Sequence, residues 1–475
     1  MTSNLLVIMS DEHQSRAMGC AGHPFVQTPH LDALAARGTR FSNAYTPSPI
    51  CVPARACFAT GQPVHKTRLW DNAMPYDGSI RGWGHALQGA GVPVESIGKL
   101  HYRDEADDAG FDALHIPMMV VGGVGMVWAS IRAEDERVSP QARMLGAHIG
   151  AGTSKYTEYD AAVTKRTVDW LKSQSTENAQ PWCLYVGLVA PHFPLVCPQE
   201  CFDLYPADKL PEVKQHPSTG YTRHPWVEKQ NAMMDSEARF KDPAERLAAM
   251  SAYYGLTSWL DHNVGQILAG LHDAGLTDNT TVIYTSDHGD NVGARGLWGK
   301  SNLYEESVAV PLIMAGPKTS TAVCDTPVSL LDLAATIPAH FGIEFDSVGT
   351  PLDDIAAKPT DFERPILSQY HAAGAVSGAY MLRQGRWKLN HYEGFDPELF
   401  DLEADPEELC NLVAYPEHRS DLQRMQNVLE AILDPAATDA LAFADQAALI
   451  ERHGGREAAL KLGAPGATPP PKVGT

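Results

Sequence analysis

Two kinds of reactive side chain in this sequence sit where chemistry could use them: charged and imidazole groups just past apolar runs, and a cysteine at the start of a helix. Asp11 and Glu12 follow the apolar run Leu5–Met9, and Asp287 and His288 follow Thr281–Thr285. Lys99 and His101 follow the strand-like Pro93–Ile97, and His192 follows Trp182–Val189. If these runs are strands of an open parallel sheet, all four groups fall at its carboxyl edge, where α/β proteins bind ligands. Carboxylates and an imidazole converging there suit a divalent cation. Each group alone also has a plain structural explanation. Asp11 could cap a helix, His192 could be a satisfied histidine in a proline-rich loop, and Lys99 could be a solvated surface charge. Four such sites on one edge favour a shared centre.

The cysteine is Cys51, in Cys51-Val52-Pro53-Ala54-Arg55-Ala56-Cys57-Phe58-Ala59-Thr60-Gly61. Pro53 is a good first-turn residue, and Ala54–Thr60 can be helical with Gly61 as the stop. Cys51 then lies at a helix N-terminus, where free N–H groups and the dipole favour an anion. Arg55, in the first turn, adds a planar cation matched to a sulfate or phosphate group. A small buried cysteine is the competing explanation, but it leaves the neighbouring Pro and Arg without a purpose.

The elements that would position these groups alternate along the chain. Leu5–Met9, Trp182–Val189, Thr281–Thr285 and Val310–Met314 are continuous apolar runs, as expected for strands buried on both faces. His30–Arg37 reads as a helix stopped by Gly38, and a long helix begins near Pro243, with Leu247, Met250, Tyr254, Leu260, Val264, Ile267, Leu268 and Leu271 near the helical period. The fold predicted is an α/β sandwich with a mostly parallel central sheet, over residues 1–357. After Lys358 the texture changes. Pro365–Tyr370, Ala379–Arg383 and Arg386–Tyr392 read as short strands, the last two joined by a Gln384-Gly385 turn, and Glu417–Leu433 as a helix. This predicts a smaller α+β domain over 358–434. Residues 435–475 are an extension that favours a homo-oligomer, and its end from Thr468 (Thr-Pro-Pro-Pro-Lys-Val-Gly-Thr) reads as an arm or a disordered tail.

Composition narrows the partners. With 37 basic and 58 acidic side chains the formal charge is −21, a field that repels nucleic acid and anionic membranes. An anionic substrate therefore needs a local cluster of cations. The first residues carry no export pattern, and Ile116–Ile131, the most apolar later stretch, is too short to span a bilayer and reads as a loop. The eight cysteines show no paired CxxC motifs, so reduced thiols in a cytoplasmic protein are expected. Cys197 and Cys201 alone are weak grounds for a metal clip.

Taken together, the motifs resemble those of type I, formylglycine-dependent sulfatases of the alkaline phosphatase superfamily, a group that includes arylsulfatases, choline sulfatase and phosphonate monoester hydrolases. Cys51-x-Pro53-x-Arg55 resembles the signature whose cysteine a dedicated formylglycine-generating enzyme oxidises. Ser10-Asp11-Glu12, Gly98-Lys99-Leu100-His101, Ala190-Pro191-His192-Phe193-Pro194, Thr285-Ser286-Asp287-His288-Gly289-Asp290 and Leu297-Trp298-Gly299-Lys300 match the remaining motifs in order. Gly385-Arg386-Trp387-Lys388-Leu389 and Pro397–Leu402 look like the family's small domain. The match runs from residue 5 to about residue 412.

The resemblance implies an alkaline-phosphatase-like fold and one divalent cation (manganese, calcium or magnesium) held by Asp11, Asp287, His288 and the modified Cys51. Many relatives carry a second aspartate and an asparagine where Glu12 and His288 stand. That leaves ligation by Glu12 open, and an imidazole ligand shifts the expectation toward manganese. The substrate implied is a small aryl or alkyl sulfate. A hydroxyl of the hydrated formylglycine attacks sulfur with help from the cation and Arg55, and the sulfated residue then collapses to aldehyde and sulfate. By analogy Lys99 binds sulfate oxygens, His101 is the base for the collapse, and His192 and Lys300 flank the leaving oxygen. Asn72 either touches the substrate or is a turn residue. Walls are expected from Trp70–Tyr76, Ile116–Ile131 and Gln199–Pro225. The alternatives are a phosphonate monoester or phosphodiester hydrolase of the same superfamily, against which Lys99 and His101 argue, and a non-catalytic metal-binding protein with Cys51 unmodified.

Overall fold

The computed structural model describes residues 3–139, 143–174, 180–463 and 467–472. Eight strands form one sheet in the order Ala322–Cys324, Thr39–Phe41, Leu312–Ala315, Thr280–Ser286, Asn4–Asp11, Cys183–Pro191, Val94–Lys99, Ala113–Met118. Asn4–Asp11 lies at its centre, parallel to Cys183–Pro191 on one side and to Thr280–Ser286 on the other. The predicted parallel sheet is there with one exception. Leu312–Ala315 runs antiparallel to both neighbours, because an apolar run encodes burial and not direction.

Alternation along the first strand divides the core. Leu5, Val7 and Met9 face a layer containing Phe58, Trp83, Leu333 and Ile337. Leu6 and Ile8 face the opposite layer, with Val163, Trp170, Leu260, Val264 and Ile267. Much of that second layer is the helix Pro243–Asp273, which starts where the sequence predicts. Asp242 accepts from the Glu245 N–H, and Pro243 occupies a position that needs no donor. The predicted His30–Arg37 helix spans Pro29–Ala35. Ile116–Ile131 is not simply a loop: it opens within the edge strand Ala113–Met118, whose half-buried residues and Pro117 hide the strand signal, and continues through two short 3-10 turns.

The smaller C-terminal domain is an antiparallel sheet of Ile366–Tyr370, Ala379–Gln384, Trp387–Tyr392 and Glu398–Asp401. Helix Arg419–Ile432 covers one face, with Met425 and Leu429 against Leu382, Leu389 and Leu399. The other face meets Trp226, Leu303, Tyr304 and Val308 of the main sandwich. Beyond it, helix Pro435–Arg452 returns to pack beside Val127–Ser130. The described part of the tail is not helical; its Ala467 and Thr468 lie at the sheet's carboxyl edge, and 473–475 fall outside the described residues. No described helix is long and apolar enough to cross a membrane.

Candidate active site

The three central strands deliver their last residues to one point. Asp11 ends the first strand, and no helix follows it, so the capping role is not the one it plays. Asp287 and His288 follow Thr280–Ser286 directly. Opposite them the Cys51 helix begins at Cys51 itself, three residues earlier than predicted, and all ten of its residues to Thr60 are buried. Ile50, its N-cap, has no capping side chain. Instead Asn72 Oδ1 accepts from the Val52 N–H at 3.2 Å and closes that helix end.

Asp11, Cys51, Asp287 and His288 each direct a donor atom into one space, all four within 4.8 Å of one another. Cys51 Sγ is 3.2 Å from His288 Nε2 and 3.5 Å from Asp11 Oδ1. His288 Nδ1 lies 3.1 Å from the Gly289 carbonyl, which fixes its hydrogen there and leaves the Nε2 lone pair facing the carboxylates. Two carboxylates, an imidazole and a fourth side chain, all dry and preoriented, fit a divalent cation.

Arg55 differs from expectation. Its guanidinium lies beneath the carboxylates, 1% exposed, and its five N–H donors are all spent. Nε donates to Asp287 at 2.8 Å, NH2 to Asp11 at 3.0 Å and to the Ser10 carbonyl, and NH1 to Tyr185 Oη and the Lys99 carbonyl. Nothing is left to bind a sulfate, so Arg55 positions the two carboxylates. Burial acts to lower its pKa, but Asp287, Tyr185 and Asp11 outweigh that and hold it well above the ordinary value.

The cations that do face the cavity are Lys99 and Lys300. Lys99 Nζ is 2.6 Å from Asp11 Oδ2, and Lys300 Nζ is 3.3 Å from Cys51 Sγ. Burial alone would raise the Asp11 pKa, but Lys99, Arg55 and Lys300 together pull it well below the carboxylate range. Burial pushes the Cys51 thiol up to about 11, with Asp11 adding to the rise against Lys300 and Lys99. His101 and His192 are both pushed well below the usual histidine value by burial, reinforced mainly by Lys99 and Lys300 respectively. Both imidazoles thus favour the neutral form, in which one ring nitrogen keeps a lone pair.

Glu12 stands apart from the four-donor group. A positive φ of 70° turns its side chain toward His192, 3.4 Å away, and Lys300, 3.2 Å away. Burial raises its pKa well above the ordinary range, opposed by Lys300. Its carboxylate forms a second acidic group with Asp11 and His192, sharing Asp11 with the first. Cys197 and Cys201 belong to neither group, and Cys57 is a buried core residue beside Trp70.

The cavity over Cys51 takes Asn72 from the first predicted wall and Met126 and Trp128 from the second. None of Gln199–Pro225 lines it; Gln230, Asn231, Met234, Ser236 and Trp298 occupy that side. Among the polar groups that the sequence reading missed are Tyr156, Asn231, Ser301 and Asn302 on the cavity wall, Tyr185 beneath it and Thr468. Tyr185 sits inside an apolar strand, where its hydroxyl was the only signal, and Thr468 lies in a tail with no local pattern.

The sulfatase family profile matches residues 3–343, and the profile for the C-terminal region of N-sulphoglucosamine sulphohydrolase matches residues 293–434. A choline-sulfatase of Rhizobium meliloti is 34% identical over 464 residues, covering 94% of this chain and 89% of that one. Arylsulfatase K of Bos taurus is 28% identical, covering 90% and 81%. A phosphonate monoester hydrolase of Agrobacterium radiobacter shares the fold at TM-score 0.72 and 21% identity, over 90% of this chain and 95% of that one.

Proposed function

The chain belongs to the sulfatase family and is a hydrolase of sulfate monoesters, and on that premise we propose that it acts through Cys51, oxidised to formylglycine, on the sulfate ester of a small aryl or alkyl alcohol that carries no charge of its own. The observation that carries this reading is the placement of Cys51 within 4.8 Å of three metal-type donors and beside Lys300. A protonated thiol has little nucleophilicity, whereas a hydrated aldehyde at the same position offers one hydroxyl to attack and another to release the product.

Asp11, Asp287, His288 and the modified Cys51 would hold one divalent cation, with manganese favoured by His288. Bound there, the cation supplies positive charge for the sulfate oxygens and acidifies the attacking hydroxyl. Lys99 and Lys300 hold the remaining sulfate charge and answer the need for local cations in a chain of charge −21. His192, neutral and beside Lys300, faces the leaving oxygen. His101 takes the proton whose loss frees sulfate in the second half of the reaction. Arg55 keeps Asp11 and Asp287 aligned from beneath.

The outer wall includes Met126, Trp128, Met144, Phe193, Met234 and Trp298, and among the described residues no carboxylate lines the cavity. Such a wall suits an uncharged, partly aromatic alcohol. It offers a quaternary ammonium aromatic faces but no counter-charge. The test is a comparison of kcat/KM. An aryl sulfate should exceed the matching aryl phosphonate by at least about tenfold, roughly 1.4 kcal/mol of transition-state preference. Choline sulfate should be no better a substrate than the isostere with a neutral tert-butyl group in place of its trimethylammonium. A preference for the phosphonate would make this a phosphonate hydrolase instead.

A further inference from the structure

The C-terminal segment enters the reaction site of its own chain, and it is anchored there at several points. Helix Pro435–Arg452 buries Ala442 beside Cys57 and Trp70, and Leu449 beside Val127 and Ile131. Leu460 and Leu462 extend the same contact. Gly463, at φ +88°, brings its backbone against Gly125: a Cβ there would stand 1.8 Å from the Gly125 carbonyl oxygen. Farther on, Ala467 packs against the core layers on the active-site side. Thr468 then reaches the centre. Its Oγ1 lies 2.9 Å from His101 Nε2, and its backbone carbonyl accepts from the Tyr156 hydroxyl. Pro469, Pro470 and Pro471 follow, a run that restricts the backbone and has no N–H donors.

His101 needs such a partner. Its backbone sits at φ +60°, held by a 2.8 Å bond from its N–H to the Met118 carbonyl. Its Nδ1 is buried with no hydrogen-bond partner among the described residues. The Thr468 hydroxyl is thus the polar group that fixes the ring's rotation, and as donor and acceptor it can serve either protonation state.

We propose that Thr468 is a positioning residue for His101 and that the segment from Ala467 is a working wall of the active site. The inference rests on the reading of His101 as the base of the second half-reaction. Orientation of a base governs its rate, so loss of this bond lowers turnover more than binding.

The experiment uses the full chain carrying formylglycine, with an aryl sulfate, and compares Thr468→Val, Thr468→Ser, His101→Ala and a chain ended after Gly463. Thr468→Val is expected to lower kcat about tenfold with KM within about twofold, and Thr468→Ser to restore it to within about threefold of wild type. In Thr468→Val the first equivalent of alcohol should still appear in a burst. The acid limb of kcat should move to lower pH, since the imidazolium loses an acceptor. The shortened chain should show the same loss of kcat together with a raised KM. His101→Ala tests the base reading by itself: if it turns over like wild type, that reading fails and the positioning role falls with it. If His101→Ala is slow while Thr468→Val keeps kcat within twofold, or if the shortened chain is faster than wild type, the positioning role alone is overturned.

Discussion

Replacing Arg55 with alanine would leave Asp11 and Asp287 together in a dry site without the guanidinium that joins them. Arg55 contacts Asp287 at 2.8 Å and Asp11 at 3.0 Å, and all three side chains are at most 1% exposed. Removing one partner of a buried ion pair costs about 3–5 kcal/mol, because the other charge stays buried. Asp11 keeps Lys99 at 2.6 Å, so its share is smaller, and Asp287 carries most of the penalty. The lost bonds to Tyr185 and to the Lys99 and Ser10 carbonyls add about 1 kcal/mol each at most. A loss of about 3–8 kcal/mol follows for the protein without cation. A divalent cation on the same carboxylates offsets part of it, so the deficit should shrink when manganese saturates the site. Urea unfolding followed by tryptophan fluorescence, in EDTA and in manganese, measures both quantities. Arg55→Lys restores charge but cannot span both carboxylates, and should recover less than half of the loss. A deficit below about 1 kcal/mol in EDTA, or one that manganese leaves unchanged, would refute the reasoning.

Asp287→Ala should abolish bound cation by elemental analysis and lower stability, with circular dichroism still close to wild type because Asp11 keeps the Arg55 guanidinium paired; His288→Asn should retain a cation and shift preference toward calcium. Asp160 should make stability depend on pH. Burial, opposed by bonds from the Val189 and Ala190 N–H groups, raises its pKa to about 7. The folded state therefore holds a proton that the unfolded state releases near pH 4, so this contribution is complete below about pH 4 and lost as pH rises through about 7. Over that range it amounts to a few kcal/mol at most, on the order of 1.4 kcal/mol for each tenfold difference in proton affinity between the two states. Denaturant midpoints of Asp160→Asn should vary less between pH 5 and 8 than those of wild type, and equal pH dependence would contradict the assignment.

Strand ends were the most legible part of the site. A buried apolar run such as Leu5–Met9 followed at once by Asp11 states both an element and an edge, and Thr281–Thr285 followed by Asp287 repeats it. Direction was not legible, which is why Leu312–Ala315 came as an antiparallel strand. Side-chain aim was legible only in part. Arg55 in a first helical turn can point out toward an anion or back under the sheet edge, and only packing decides between them. Glu12 turns away because its backbone takes a positive φ, a conformation its residue type does not advertise. Thr468 contacts a residue 367 positions away, and no local spacing encodes such a meeting.

The central claim is that the nucleophile is Cys51 converted to formylglycine, and peptide mass mapping of active enzyme tests it directly. Protein made together with a formylglycine-generating enzyme should show the Cys51 peptide lighter by about 18 daltons, restored on hydration, with Cys57 unchanged. Specific activity toward an aryl sulfate should rise in proportion to the converted fraction across preparations. Fully active protein whose Cys51 is only a free thiol would contradict the account.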